Sequence, residues 1–375
     1  MSIELRSWIN FQPYLHGLST RGIARQAEYF SGDQLVVSAD PDHIATEARE
    51  YEASGYDSSI VPQSASWPDA WSTVTWALAH TQRLKVIAAH RPGVTQPAAA
   101  ARTFATVDRL SKGRAGVHVI MGHFDRQADG DQLDQGAVYA RAEEYLEIFD
   151  RTLREPEPFD FSGDFYTVRG AWSGVRPLQQ PRPVLSLPVG SEQSIGLAAR
   201  HADVFALRGQ SLAEAQELIG RVSVEAQRIG RERELRAWAN FNVIVDTTDD
   251  DAWRRARQIE AGVIELADHR RRTKPRHTPD FNEGRPVRHS DGPEVLDRAL
   301  WTGLSRLTST ELTFVGSPTT VADAILDYHD LGIEIFTLGS HVTNPVEEEA
   351  RRELLRLLHE AAEARDRVGA FAGSR

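Results

Sequence analysis

Short apolar runs alternate with longer amphipathic segments along this chain, and the alternation recurs eight times. Such alternation marks βαβ construction, in which each parallel strand is followed by a helical crossover. The spacing predicts strands over residues 3–11, 57–61 and 84–89, then in "RAGVHVIMG", "PVLSLPV", residues 203–207, "ANFNVIV" and "EIFTLG". Helices are predicted over residues 41–55, from Pro68 onward, and over 97–113, 139–154, 212–230, 250–269, 318–328 and 346–368, with a further one opening at Ser191. Glycines at Gly55 and Gly113 and prolines at Pro97 and Pro318 sit where helices stop and start. Eight strands joined by right-handed crossovers close most simply into a ring. An open doubly wound sheet is disfavoured, because neither G-x-G-x-x-G nor G-x-x-x-x-G-K-[ST] follows the first strand. The expectation is an α/β chain folded as a single (β/α)8 TIM barrel over residues 1–375. It carries two insertions: a hairpin near 158–170, with Ser162-Gly163 at its turn, and a basic, lid-like stretch near 269–292.

Composition excludes several functions. Lys and Arg total 43 against 54 Asp and Glu, a formal charge of −11, so no nucleic-acid partner is expected. With no cysteine there is no disulfide, thiolate nucleophile or Cys-ligated metal. No H-x-H or carboxylate–histidine set stands at metal spacing, so no metal is expected. No run approaches the ~20 apolar residues that span a bilayer, and the first residues lack a signal-peptide pattern. A cytoplasmic protein without a membrane partner is the expectation.

In such a barrel, binding groups belong to loops at the carboxyl ends of the strands. Those loops contain "VPQSASWPDAW", "HRPGVTQP", "MGHFDR", "VGSEQS" and "GSHVTNP". In "VGSEQS", Gly190, Ser191 and Ser194 offer hydroxyls and free N–H groups to an anion at a helix start. Ser191 serves equally well as a plain helix cap. The sequence leaves both readings open.

Longer segments carry a family resemblance. "TQRLKVIAAHRPGVTQPAAAARTFATVDRLSKGRAGVHVI", "VYARAEEYLEIF", "PLQQPRPVL", "GSEQSIGLAARHADVFAL" and "FNVIVDTTDDDAW" together resemble the bacterial luciferase-like flavin monooxygenases. Within these, the chain is most similar to the alkanesulfonate and dimethylsulfone monooxygenases. The similarity runs from about Ala48 to Glu349 and is densest between Trp71 and Leu207. The resemblance implies a TIM barrel, reduced FMN (FMNH2) as cofactor, O2 as co-substrate and a flavin peroxide as the oxygen carrier. It also implies a separate NAD(P)H:flavin reductase as partner and a homodimer or homotetramer.

Carried over by position, the resemblance makes Ser191 and Ser194, beside Gly190, the holders of the flavin phosphate, with Tyr139 next to the flavin. His90 and Arg91 fall where relatives line the isoalloxazine pocket and often have a strained non-proline cis peptide. Met121 and Gly122 end the fourth strand, with methionine where relatives carry a small hydroxyl residue.

The substrate end departs from the alkanesulfonate pattern. An arginine and a histidine of the seventh strand are replaced by Asn240 and Asn242, and Trp67 stands for a cysteine. No arginine in "GLSRLTSTELTF" clearly matches the one expected there. A desolvated sulfonate needs charged partners, so a neutral polar substrate such as a sulfone, amide or ketone is expected instead. Trp67, Asn240 and His341 are the candidate catalytic residues, with His16 and His123 as further imidazoles near the mouth. The basic insertion would close over the flavin and exclude water. The resulting reading is a two-component FMNH2- and O2-dependent monooxygenase. An F420-dependent oxidoreductase on the same barrel and a non-catalytic flavin-binding relative remain as alternatives.

Overall fold

The computed structural model describes residues 2–9, 11, 39–65, 67–122, 126–231, 233–273, 292–308, 310–339 and 345–372. Eight parallel strands form the ring: β1 (Glu4–Trp8), β2 (Ser58–Val61), β3 (Lys85–His90), β4 (Ala115–Val119), β7 (Leu185–Pro188), β8 (Val204–Leu207), β9 (Arg236–Val245) and β13 (Ile333–Gly339). They lie side by side in the order β9, β13, β1, β2, β3, β4, β7, β8, and pairing of β8 with β9 closes the circle. This is the predicted (β/α)8 barrel.

Helices follow the strands: α1 (Pro41–Ser54), α2 (Ala70–Ala79), α3 (Pro97–Leu110), α4 (Gln135–Arg154), α5 (Glu192–His201), α6 (Leu212–Arg228) and α7 (Asp249–Thr273). The series ends with the short α8 (Gly303–Leu307), α9 (Pro318–His329) and α10 (Pro345–Ala372). Local chemistry sets their ends. Asp40 and Asp134 accept first-turn N–H bonds as N-caps, and Gly55, at φ 100°, takes the left-handed turn that stops α1. β5 (Phe159–Ser162) and β6 (Thr167–Ala171) form an antiparallel hairpin apart from the ring. Glu144 of α4 ties this hairpin down by accepting from the N–H groups of Asp164, Phe165 and Tyr166.

Three strands were not anticipated. β12 (Thr313–Gly316) pairs in parallel with the upper half of β9, whose lower half pairs with β8. β10 (Val295–Leu296) and β11 (Leu300–Trp301) then extend β12 antiparallel. The apolar run in "LTFVG" is too short to signal a strand by periodicity, and only the long edge of β9 recruits it. No helix among the described residues is long and apolar enough to cross a membrane.

The ring interior is a packed plug rather than a pore. Trp238 stands at its centre, with the Arg6 guanidinium 4.2 Å from its ring centroid and the His118 ring meeting it edge-on at 4.6 Å. Its indole N–H donates to Thr337 Oγ1 at 2.7 Å, and Ile60, Ile87, Val204, Ala206 and Ile335 fill the surrounding space. Arg6 donates from Nε to Ser58 Oγ at 2.9 Å and His118 Nδ1 lies 2.9 Å from Ser186 Oγ, which satisfies these two buried atoms, although Arg6 Nη1 has no hydrogen-bond partner among the described residues. The plug forms the floor beneath the mouth.

Candidate active site

The loop between β7 and α5 combines an accessible hydroxyl with free helix-end donors. Ser191 caps α5, accepting from Ser194 N at 3.2 Å, while Ser194 Oγ accepts from Ser191 N at 2.9 Å and Gly190 N at 3.0 Å. Ser194 is buried and also bonds the Ser191 carbonyl at 2.8 Å, so its hydroxyl is committed to shaping the turn. Ser191 is exposed, and a Cβ built on Gly190 would meet nothing within 4 Å. Open space therefore lies over Gly190 beside the exposed Ser191, whose hydroxyl donates to Ser194 Oγ at 3.1 Å, at the end of a helix whose first N–H groups have no intrahelical acceptor. Capping and anion binding are compatible at this serine. Glu192, the next residue along the chain, is paired with Arg221 of α6.

Tyr139 lies on the second turn of α4, partly buried against the core. One turn further along the same face, Glu143 bonds His201 Nε2 and Arg200 of α5, at 2.6 Å and 2.8 Å. That i, i+4 relation turns Tyr139 toward α5, on the mouthward side of the Glu143 contacts.

His90 and Met121 take places the sequence did not reveal. His90 shares a strand face with Val86 and Ala88, which belong to the core between strands and helices. Its Nδ1 accepts from Trp71 Nε1 of α2 at 3.1 Å, and its Nε2 lies 2.6 Å from the Tyr145 hydroxyl of α4. Burial drives its pKa from 6.5 down to about 4. Both ring nitrogens are occupied, so His90 braces the end of β3 from outside and offers neither to the mouth. Met121 is likewise buried in the core that holds Val117 and Val119. The cis peptide expected near His90 is not found. Among the described residues the cis bond is Gln180–Pro181, and the chain turns after β3 through Gly93 at φ 98°.

An arginine network fixes the loops after β3 and β4. Arg141 of α4 donates to Pro92 O at 2.9 Å and Asp131 Oδ2 at 2.7 Å, Arg126 donates to Leu133 O at 2.9 Å, and Arg91 pairs with Asp129. Gly122, at φ 66°, fits between them: a Cβ there would lie 2.8 Å from both Arg126 Cγ and Arg91 Cδ. Trp71, Tyr145, Arg126 and Arg141 were not among the sequence candidates. Their helical positions mark them as ordinary amphipathic residues until the packing is known.

At the opposite side of the mouth, Asn240 follows Trp238 on the inward face of β9. Asn240 Nδ2 donates to Leu207 O at 3.2 Å, whereas its Oδ1 is buried with no partner among the described residues. Asn242 Nδ2 donates to Thr310 Oγ1 at 2.9 Å and Glu311 O at 3.2 Å. Arg208, directly after β8, pairs with Glu311 at 3.1 Å, and the other Glu311 oxygen accepts from Gly209 N at 3.0 Å. Trp67 sits in the loop after β2, edge-on to Phe11 at 5.8 Å, with β1 and β13 between its strand and β9. His341, His16, His123 and most of the basic stretch lie outside the described residues. Among the described residues, no cluster of histidines and carboxylates is arranged to hold a metal ion.

A family model described as luciferase-like monooxygenase matches residues 23–334. The chain belongs to that family. Membership makes it an enzyme of the flavin-dependent monooxygenase class. Solved structures with the same architecture include an EDTA monooxygenase from a Chelativorans species, at TM-score 0.72 and 18% identity over 97% of this chain and 94% of that one. A riboflavin lyase solved with modified FMN and riboflavin superposes at TM-score 0.71 and 18% identity, over 96% of this chain and 92% of that one. An F420-dependent secondary alcohol dehydrogenase does so at 0.68 and 16%, over 96% and 99%. At such identities the likeness concerns the fold.

Proposed function

We propose that the protein is the oxygenating component of a two-component system, using reduced FMN and O2 to oxidise a small, neutral organic substrate. The observation that carries this reading is the open cradle at the start of α5, where the exposed Ser191 stands at the helix N-terminus beside a glycine with no neighbour over it. These groups fit a phosphate monoester, because a helix N-terminus favours a dianion and supplies its donors. Ser191 and the first N–H groups of α5 would hold the phosphate, Ser194 would keep their geometry, and Tyr139 would flank the flavin chain. Bound reduced FMN supplies the electrons that activate O2.

The protein's own share is placement and exclusion. The Trp238 plug closes the barrel beneath the mouth, so a ligand enters from the loop side alone. The arginine network and the His90 brace tie residues 90–92 and 126–133 to one another and to α4, which lowers the entropy cost of ordering these residues in the binding step. Asn240, Asn242 and the Arg208–Glu311 pair give the β8–β9 side a polar lining without net charge, in keeping with a neutral substrate. The reductant arrives from a separate flavin reductase, since the chain has no nicotinamide fingerprint after its first strand.

The test is an anaerobic titration with photoreduced FMN and, in parallel, reduced F420, followed by oxygen-uptake measurements with a flavin reductase present. Saturable binding of reduced FMN and substrate-dependent oxygen uptake are expected. Binding of F420 in place of FMN would move the protein to hydride transfer. FMN binding without substrate-dependent uptake for any neutral substrate would leave a non-catalytic flavoprotein.

A further inference from the structure

The Asn240 side chain is oriented by the backbone, and that orientation leaves its oxygen without a partner among the described residues. Its amide nitrogen points at Leu207 O, at 3.2 Å. The reversed rotamer would set the amide oxygen against the carbonyl oxygen, two acceptors with no proton between them, so the observed orientation is enforced. Asn240 Oδ1 is thereby turned from β8 and left buried without a donor among the described residues. A buried acceptor lacking a partner is a standing destabilisation, rare in native proteins and relieved when a donor arrives.

The surrounding groups narrow what that donor can be. Both N–H bonds made by Asn242 go to Thr310 and Glu311, and Arg208 is matched by Glu311. A Cβ on Gly209 would lie 2.6 Å from Asn240 O, so the loop after β8 packs directly on the Asn240 backbone and holds the residue in place. An anionic ligand would meet an acceptor at Asn240 and no uncommitted cation at Arg208.

We propose that Asn240 is the specificity determinant of the substrate pocket, its Oδ1 accepting a hydrogen bond from an N–H or O–H group of a neutral substrate such as a primary or secondary amide, an amine in its neutral form, or an alcohol. The proposal rests on the monooxygenase reading above and narrows its substrate class from neutral to donor-bearing. Sulfones, tertiary amides and simple ketones, which carry no donor, are disfavoured by the same acceptor.

Matched pairs of fragments separate these outcomes on the full-length protein saturated with FMN: benzamide against N,N-dimethylbenzamide, and benzyl alcohol against benzyl methyl ether, with dissociation constants from ligand-observed NMR. The donor-bearing member should bind about tenfold tighter to the wild type, and Asn240→Leu should abolish that preference without weakening the donor-free member. Asn240→Ala serves as the second variant should the leucine disturb folding, which a thermal melt reports. Equal binding within each pair, a preference that survives in both variants, or binding by no fragment at all would overturn the proposal. FMN binding measured in the same samples keeps the two readings apart: retained FMN binding with no donor preference refutes Asn240 alone, whereas absent FMN binding refutes the flavin reading itself.

Discussion

Trp71 Nε1 donates to His90 Nδ1 at 3.1 Å, and the indole N–H has no acceptor capacity, so the imidazole must accept at that nitrogen. The proton of neutral His90 therefore sits on Nε2 and is given to the Tyr145 hydroxyl at 2.6 Å. Three elements, α2, β3 and α4, are joined through one ring that functions only while uncharged.

A pH dependence of stability follows. Burial lowers the His90 pKa from 6.5 to about 4 and that of His118, inside the barrel plug, to about 3. Between these values and 6.5 the unfolded chain binds more protons than the folded one, so stability is complete above pH 6.5 and falls as the pH drops. Each histidine should cost on the order of 2 kcal/mol at pH 5 relative to pH 7.5. Urea unfolding at the two pH values should show the loss, and His90→Gln or His118→Gln should each remove one share of the pH dependence; an unchanged slope in both variants contradicts the assignment.

At the α5 cradle, capping and ligand binding separate by substitution. Ser191→Gly should cost only a few tenths of a kcal/mol in stability, because glycine is a tolerable N-cap, yet lower FMN affinity about tenfold by removing an exposed hydroxyl. Ser194→Ala should cost about 1 kcal/mol, since its oxygen holds the Gly190 and Ser191 N–H groups. Thermal melts and fluorescence titration with FMN check both.

Gly209→Ala should destabilise the fold by about 1–3 kcal/mol, because the new methyl carbon would lie 2.6 Å from Asn240 O, a backbone atom with little freedom to yield. Substrate turnover should fall further than FMN affinity, since the displaced strand carries Asn240 and not the phosphate cradle. Denaturant midpoints and parallel FMN titrations measure the two effects.

Glu311→Gln should remove the carboxylate charge that pairs with Arg208 while a side-chain oxygen remains to accept from Gly209 N. The variant should bind propanesulfonate about tenfold more tightly than the wild type, and the gain should shrink with added salt. Calorimetry at two ionic strengths gives the answer; no gain in affinity would mean that the ion pair does not set the charge of the pocket.

Part of the candidate site's local geometry is legible in the sequence. "VGSEQS" announced the helix cap that Ser191 makes, because capping chemistry lies within a few consecutive residues. Asn240 and Asn242 fell on the seventh predicted strand, and alternation alone put them on one face. By contrast, Ser194 looked equivalent to Ser191, and only the hydrogen bonds to Gly190 and Ser191 distinguish the buried organiser from the exposed hydroxyl. His90 looked like a mouth residue because it ends a strand. Which side of the strand it faced depended on Trp71 and Tyr145, nineteen and fifty-five positions away.

The amino-acid order by itself determined most of the strand and helix succession, the closed ring and which loops stand at its carboxyl end, because periodicity, caps and crossover handedness act over short stretches of chain. Tertiary structure decided the rest: the neutral state of His90, the pairing of Arg208 with Glu311, the recruitment of β12 to β9 and the unpaired oxygen of Asn240. Each of these is a contact or a vacancy between residues distant in sequence, and its energy exists only after the barrel has closed and water has been removed.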